Sequence, residues 1–314
     1  MRTAVIGLGL IGGSLLRALA AGGHEVTGFD ADPATRELAR ESGFSIAGSV
    51  TDAVRHSEVT ALAVPLTVLP RVAAELAGHD GLVTDVTSVK GPVRDLMGAR
   101  RFVGGHPMAG KETSGFAVSE ADLFAGCAWV LCLEPHETDL ADWLSLARLV
   151  TSMGARVVPV TAAEHDVAVA QISHVPHLFA AVLAEQIAGN PLAGALAAGS
   201  FRDGTRVAAT RAELTAAMCG GNVTAVRGEL RQLIGDLERM ATALEQADPV
   251  AALIPHLEPG ARARRAWPAV PGAPERLPAS VGALLDLGRS GGWVTSVGDG
   301  EVVALRPESD RKLL

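Results

Sequence analysis

The feature that most constrains this chain lies at its amino terminus, where the apolar run Thr3 to Ile6 meets Gly7-Leu8-Gly9-Leu10-Ile11-Gly12. A helix is expected over Gly13 to Ala21, then a second strand over Glu25 to Phe29 that ends in Asp30. A lone G-x-G-x-x-G turn is weak evidence, since a glycine-rich structural turn reads the same way. Here the strand before it, the helix after it and an acidic residue roughly 20 positions on all fall where a dinucleotide site requires them. Gly7 permits the tight turn, Gly9 leaves room for a pyrophosphate against the backbone, and Gly12 lets helix and strand approach closely. Leu10 and Ile11, between the last two glycines of the turn, count with them as cofactor-binding residues, and the unpaired N–H groups and positive dipole end of the helix that follows suit phosphate.

Asp30 bears on which nucleotide binds. A carboxylate there accepts hydrogen bonds from the adenine ribose hydroxyls and repels a 2′-phosphate. Ala31, Asp32 and Pro33 follow, and the first arginine is Arg36. NAD is therefore favoured over NADP. FAD binds the same turn, and this segment alone leaves it open.

With 314 residues the chain is long enough for two domains. Its 27 basic and 35 acidic residues give a formal charge of −8, with no overall attraction to nucleic acid. The cysteines, Cys127, Cys132 and Cys219, form no CxxC or Cys/His metal spacing, so a reduced cytoplasmic protein without a metal is expected. The amino-terminal stretch lacks a signal-peptide cleavage pattern. No uncharged apolar run reaches the roughly 18 residues of a membrane span.

Residues 1–161 alternate short apolar runs with helical patterns. This predicts an α/β domain of Rossmann type, a doubly wound, mostly parallel sheet with helices on both faces. The strand ends at Pro65, Val86 to Ser88 and His106 then face the crevice where a nicotinamide lies. Residues 162–254 read as an all-helical domain for substrate and dimerisation, with Pro176 interrupting the helical stretch Ala163 to Gln186. In the helical pattern from Asn222 to Ala247, Leu230, Leu233, Ile234, Leu237 and Met240 make one apolar face. A second subunit or the domain's own interior would cover it, and a homodimer is the expectation. Residues 255–278 are proline-rich and read as a linker. The tail, 279–314, reads as a small α+β segment with no assigned role: a helix over 279–287 and strands over 293–297 and 301–305, joined by Gly298-Asp299-Gly300.

Two segments at strand ends carry candidate chemistry, Thr84 to Gly91 and Gly104 to Gly115. His106, between glycines, is placed to accept the proton of a substrate hydroxyl as hydride leaves. Ser88 either orients His106, hydrogen-bonds the same hydroxyl, or caps the next helix. His174 and His177 lie three apart in Ser173-His174-Val175-Pro176-His177, and Arg202 and Arg206 lie four apart in Phe201 to Arg206. Neither cluster comes with a third and fourth metal ligand. The guanidinium groups suit a small anionic substrate, since each can clamp a carboxylate through paired hydrogen bonds. A structural ion pair, Arg202 with Asp203 or Glu213, is the competing reading.

With these blocks in view, the chain resembles the prephenate and arogenate dehydrogenases of tyrosine biosynthesis. The likeness rests on GLGLIGGSL at 7–15, Asp30, TDVTSVKG at 84–91, GGHPMAGKETSG at 104–115, HD at 165–166, SHVPH at 173–177 and FRDGTR at 201–206. It covers roughly residues 1–250 and excludes the flavin reading. It implies NAD-dependent oxidative decarboxylation of a cyclohexadienyl substrate, driven by aromatisation. It also implies that His106 contacts the hydroxyl, Ser88 supports it and Arg206 binds a substrate carboxylate. Arg202 keeps a basic group where the family often has lysine. His177 and His174 would line the substrate pocket, and Glu112 would serve gating or a polar network in the loop over it. Whether prephenate or arogenate is preferred stays open at this point, with dual use a third case. A non-catalytic NAD(H) sensor is the remote alternative. An intact ACT-type regulatory module is not expected in so short a tail, nor is a fused chorismate mutase domain.

Overall fold

In the computed structural model, which describes residues 1–308, the first strand is β1 (Arg2–Ile6), with Thr3 to Ile6 all buried. They are buried because β1 sits inside a parallel sheet, paired with β2 (Glu25–Phe29) on one side and β4 (Val59–Leu62) on the other. With β3 (Ser45–Ile46), β5 (Leu82–Asp85) and β6 (Phe102–Val103) the order is β3-β2-β1-β4-β5-β6, all parallel. This is the Rossmann-type sheet expected from the glycine turn, and every residue of β4 and β5 is buried because both faces of these strands are covered.

The later strands do not extend that sheet. The chain leaves β6 through Gly104 and enters β7 (Gly105–Pro107), which pairs antiparallel with β8 (Ala128–Cys132). β8 runs parallel to β9 (Arg156–Val160). The carboxyl-terminal strands β10 (Glu275–Pro278), β11 (Trp293–Val297) and β12 (Glu301–Leu305) complete a second, mixed sheet of order β10-β12-β11-β9-β8-β7. The tail thus has the helix (Val281–Arg289) and the hairpin expected for it, and joins the nucleotide-binding unit. Leu284, Leu285, Leu287, Val294 and Val302 share a core with Leu146, Leu149, Val150 and Val157.

The chain forms two compact units, Met1–Asp166 with Ala273–Arg306, and Val167–Gly272 with Pro307 and Glu308. The first boundary falls just beyond the expected 161/162. Among the described residues the named elements of the second unit are all helical, with Pro271 and Pro307 joined outside them in an isolated antiparallel bridge. The proline-rich stretch expected as a linker over 255–278 is instead helical as far as Ala266, in the helix Pro249–Ala266. Pro255 and Pro259 each remove one backbone hydrogen bond, but both face solvent, which can hydrate the carbonyls they release. The helix holds by packing on its neighbour Val223–Leu244.

Pro176 has the interrupting effect expected of it. The helix Ala162–Val169 opens into a π-helical turn, Ala170–His174, before the helix Val175–Glu185. The wider turn absorbs the hydrogen bond that Pro176 cannot make. The run 162–185 is long and apolar enough to cross a bilayer by composition alone. It carries His165, Asp166, His174 and His177, however, and its first residues are hydrogen-bonded into the nucleotide-binding unit. The tail expected over 279–314 extends past the described residues, and 309–314 lie outside them.

Candidate active site

The glycine turn is built as a cradle for a dinucleotide. Gly7 holds φ +94°, and an added Cβ would lie 2.5 Å from the Ala63 carbonyl oxygen. A Cβ on Gly12 would lie 1.8 Å from the Gly7 oxygen, so no other residue fits there. Gly9 differs: it is exposed, and nothing lies within 4 Å of its Cβ direction. It caps the helix Leu10–Ala21 without any side-chain hydrogen bond, leaving its N–H groups to a ligand. Leu10 and Ile11 are half-buried there, and Pro65 lies exposed just past β4.

Asp30 is held beside this turn. Its Oδ2 accepts from the Leu8 N–H at 2.7 Å and its Oδ1 from the Asp32 N–H at 2.8 Å, with lone pairs remaining for ribose hydroxyls. Arg36 donates to the carbonyls of Asp30 at 2.7 Å and Ala31 at 3.0 Å, its guanidinium 5.7 Å from the Phe29 ring centroid. Open space over Gly9, bare helix N–H groups and a fixed carboxylate together fit a bound nicotinamide dinucleotide.

Beyond the turn, a buried polar cluster organises the strand that bears His106. Asp85, at the end of β5, is fully buried and forms an ion pair with Lys90, which is 1% exposed. The same carboxylate accepts from the Thr87 hydroxyl, the Thr87 N–H at 3.0 Å and the Gly105 N–H at 3.1 Å. The Lys90 ammonium also donates to the Gly105 carbonyl at 2.6 Å. The segment 85–90 is thereby tied to β7 on both sides of Gly105. A Cβ on Gly105 would lie 2.6 Å from the Asp85 carbonyl oxygen, so this close passage requires glycine. His106 follows directly, half-buried.

His106 Nδ1 lies 2.9 Å from His165 Nε2, and His165 Nδ1 lies 2.8 Å from Asp166 Oδ1. The Asp166 oxygens accept the N–H groups of Lys90 and Gly91, each at 2.8 Å, and so cap the helix Gly91–Met97. Burial works to raise the Asp166 carboxyl, but the hydrogen bonds from His165, Gly91 and Lys90 outweigh it and hold it below the usual range. Burial pushes the His165 imidazole below its ordinary value against the pull of Asp166, with the Lys90 charge adding to the depression.

Ser88 does not cap the following helix: Lys90 is its N-cap residue, and the capping group is Asp166. The His106 Nδ1 is met by His165, so orientation of that ring falls to a residue outside the predicted set. Asp85, Lys90, His165 and Asp166 all escaped the sequence reading as site residues. The available signal was the His-Asp pair opening an otherwise apolar helical stretch, since such groups turn inward only when paired.

In the helical unit the motifs SHVPH and FRDGTR meet, because the helix Gly199–Thr205 and the turn Arg206–Ala209 pack on the helix Val175–Glu185. His177 donates from Nδ1 to the Ser173 carbonyl at 2.8 Å, which leaves Nε2 as the acceptor nitrogen. His174 is fully buried, its Nδ1 3.3 Å from the Asn222 amide nitrogen, and it belongs to the interior of this unit. Arg202 is exposed with its Nε 3.5 Å from Asp203, an ion pair too solvated to count for much. Arg206 is exposed at the head of its turn, and Glu112 is exposed in the loop after β7.

Residues 15–159 match the family described as "Prephenate dehydrogenase, nucleotide-binding domain", and residues 161–257 match "Prephenate dehydrogenase, dimerization domain". The chain is 33% identical to the cyclohexadienyl dehydrogenase of Zymomonas mobilis over 78% of its own length and 89% of that protein. It is 32% identical to the prephenate dehydrogenase of Bacillus subtilis, over 77% of this chain and 70% of the relative. Among solved structures, it superposes on Synechocystis arogenate dehydrogenase with a TM-score of 0.74 and 30% identity, covering 84% of this chain and all of the other.

Proposed function

The chain belongs to the prephenate dehydrogenase family, and on that premise we propose that it oxidatively decarboxylates prephenate, with NAD, to 4-hydroxyphenylpyruvate and carbon dioxide in tyrosine biosynthesis. The observation that carries the reading is His106, on a strand pinned to Asp85 and Lys90 and backed by His165, in the unit that holds the dinucleotide turn.

When bound on the glycine turn, NAD supplies the hydride acceptor. His106 takes the proton of the ring hydroxyl as the C–H bond on the same carbon breaks. The ring carboxylate then departs as carbon dioxide, and its bonding electrons restore the aromatic ring. The oxygen regains the proton from His106, so the reaction is neutral in protons and His106 returns to its starting state. Ser88 hydrogen-bonds the same hydroxyl or supports His106. Arg206 binds a substrate carboxylate and Arg202 adds positive charge, while His177 contributes a polar contact through Nε2. His174, being interior, shapes the site rather than touching substrate, and Glu112 acts from its loop.

Asp30, held beside the glycine turn, supports NAD over NADP, because a carboxylate at the end of the second strand accepts from ribose hydroxyls and repels a 2′-phosphate. A homodimer is supported by the dimerisation-domain match and by apolar side chains left exposed on that unit, among them Ile172, Val182, Ile234 and Leu237. Three unpaired thiols support a cytoplasmic location. Arogenate is the second reading, favoured by the likeness to the Synechocystis enzyme.

The test is formation of reduced nicotinamide, followed by its absorbance, with prephenate and then arogenate, each with NAD and with NADP. Activity on prephenate with NAD is expected, lowered at least about 10²-fold in His106→Asn. Arg206→Ala is expected to raise the substrate KM and leave NAD affinity intact. Turnover of neither substrate, or undiminished turnover in His106→Asn, would overturn the reading.

A further inference from the structure

Asp166 carries two backbone N–H groups and one imidazole on its carboxylate, and those contacts keep it ionised. An ionised carboxylate only accepts, so the proton between Asp166 and His165 sits on His165 Nδ1. His165 is 2% exposed, and burial together with the Lys90 ammonium keeps it from taking a second proton. Its Nε2 is therefore a lone pair, and that lone pair faces His106 Nδ1 at 2.9 Å. Two lone pairs cannot share that distance, so His106 must carry its proton on Nδ1.

We propose that Asp166 and His165 are positioning residues that fix the tautomer of His106, so that Nε2 of His106 is the basic nitrogen turned to substrate. This deepens the reading of His106 as the base and rests on it. The same chain serves the charged state. When the substrate hydroxyl proton moves to Nε2, the O–H bond breaks, the N–H bond forms, and the imidazolium keeps donating from Nδ1 to His165. His165 in turn donates to the Asp166 carboxylate. No proton need leave His106 along the chain, and the one gained at Nε2 is the one returned to the product oxygen. The arrangement has the logic of a serine-protease triad, in which a buried carboxylate sets which imidazole nitrogen is basic. Here a second imidazole stands between the carboxylate and the base. The charged groups bearing on His165 are Asp166, Lys90 and Asp85, with His106 on its open side.

The first test needs neither substrate nor cofactor. Protein labelled with nitrogen-15 in its histidine rings is observed by two-bond nitrogen–proton correlation near neutral pH. The spin systems are assigned by their disappearance in His106→Asn and His165→Phe. Both rings are expected as the Nδ1–H tautomer. A His106 ring protonated at Nε2 would overturn the proposal. The second test is kinetic. Asp166→Asn and His165→Phe are each expected to lower kcat about 10²-fold or more, with KM and NAD affinity changed less than about threefold. The double variant is expected to be no worse than the poorer single one, because both act through the same ring. Losses that multiply, or that fall mainly on KM, would mark Asp166 as a helix cap alone and sink the proposal. Inactivity of the native protein on both substrates with the expected tautomers would remove the substrate reading and leave the fixing of the His106 tautomer standing.

Discussion

Arg289 Nε lies 2.6 Å from Glu164 Oε1, so the tail's helix reaches the residue directly before His165. The other Glu164 oxygen accepts the Thr161 N–H at 2.9 Å and the Thr161 hydroxyl at 2.8 Å. Thr161 and Glu164 thus begin the helix Ala162–Val169 much as a capping box does. Beside them, a Cβ on Gly288 would lie 1.7 Å from the Pro159 carbonyl oxygen, so the tail's helix and β9 touch backbone to backbone. The segment that carries His165 and Asp166 is therefore braced by residues from the far end of the sequence.

Packing rather than charge should dominate that brace. Leu285 is 3% exposed in the shared core, whereas the Arg289 side chain is half exposed. Leu285→Ala should lower the free energy of unfolding by about 2–5 kcal/mol, and Arg289→Ala by less than about 1 kcal/mol. Urea titrations of the two variants check this. An Arg289→Ala loss equal to that of Leu285→Ala would mean the ion pair, not the apolar contact, secures the tail.

Gly9 and Gly12 should respond differently to alanine. At Gly12 the new methyl would strike the Gly7 carbonyl, so Gly12→Ala should unfold or severely destabilise the turn. At Gly9 the backbone is extended and the space open, so Gly9→Ala should melt like the native protein. Its methyl would enter the open space expected to take the pyrophosphate, however, and NAD affinity should fall at least about tenfold, or 1.4 kcal/mol. Thermal melts alongside NAD titration separate the two. Unchanged NAD binding in Gly9→Ala would place the phosphates elsewhere.

Much of this was legible in the sequence wherever the determinants are local. The glycine turn, Asp30 and the tail's Gly298-Asp299-Gly300 hairpin each depend on residues close together in the chain, and each stands where it was expected. The second sheet was not legible, because β11 finds β9 through the pairing of Val294 with Val157, which no local pattern encodes. The helix over Pro255 and Pro259 ran against propensity and is held by a neighbour. His165 and Asp166 were missed for the first of these reasons: their partners lie 59 and 76 residues away. His106 was singled out because glycines at a strand end mark an accessible side chain, but its partner His165 comes from another element.

The buried pair also gives stability a defined pH dependence. His165 has its folded pKa pushed below the ordinary value of about 6.5. The unfolded chain then binds a proton that the folded chain refuses, so stability is full above about pH 6.5 and declines as pH falls toward the lower folded value. His79, lowered mainly by burial, acts in the same sense. Asp166 has a depressed folded pKa, and its contribution, complete above the ordinary carboxylate value of about 3.9, is lost as pH falls through the folded one. Two separate declines are expected in urea midpoints measured across this range. His165→Phe should shrink the one that begins near neutrality, and an undiminished decline in that variant would assign it to other histidines.

The helix Val223–Leu244 carries the clearest interface prediction. Leu233 packs inward with Val226 and Val175, while Ile234 and Leu237 remain 47% and 43% exposed on the single chain. Two-fold symmetry would present the same side chains from both protomers, so each residue counts twice in the interface. Fully burying an aliphatic side chain of this size contributes about 1.5–3 kcal/mol, so a charge at position 237 should cost at least that on each side. Leu237→Glu is accordingly expected to weaken association by about 10²-fold or more, each 1.4 kcal/mol being tenfold. Light scattering behind size exclusion should then report the monomer mass for this variant and the dimer mass for the native protein. NAD titration should be unaltered, since the nucleotide-binding unit has its own core. A variant that remains dimeric at low concentration would move the interface off this helix and leave Ile234 and Leu237 to another partner.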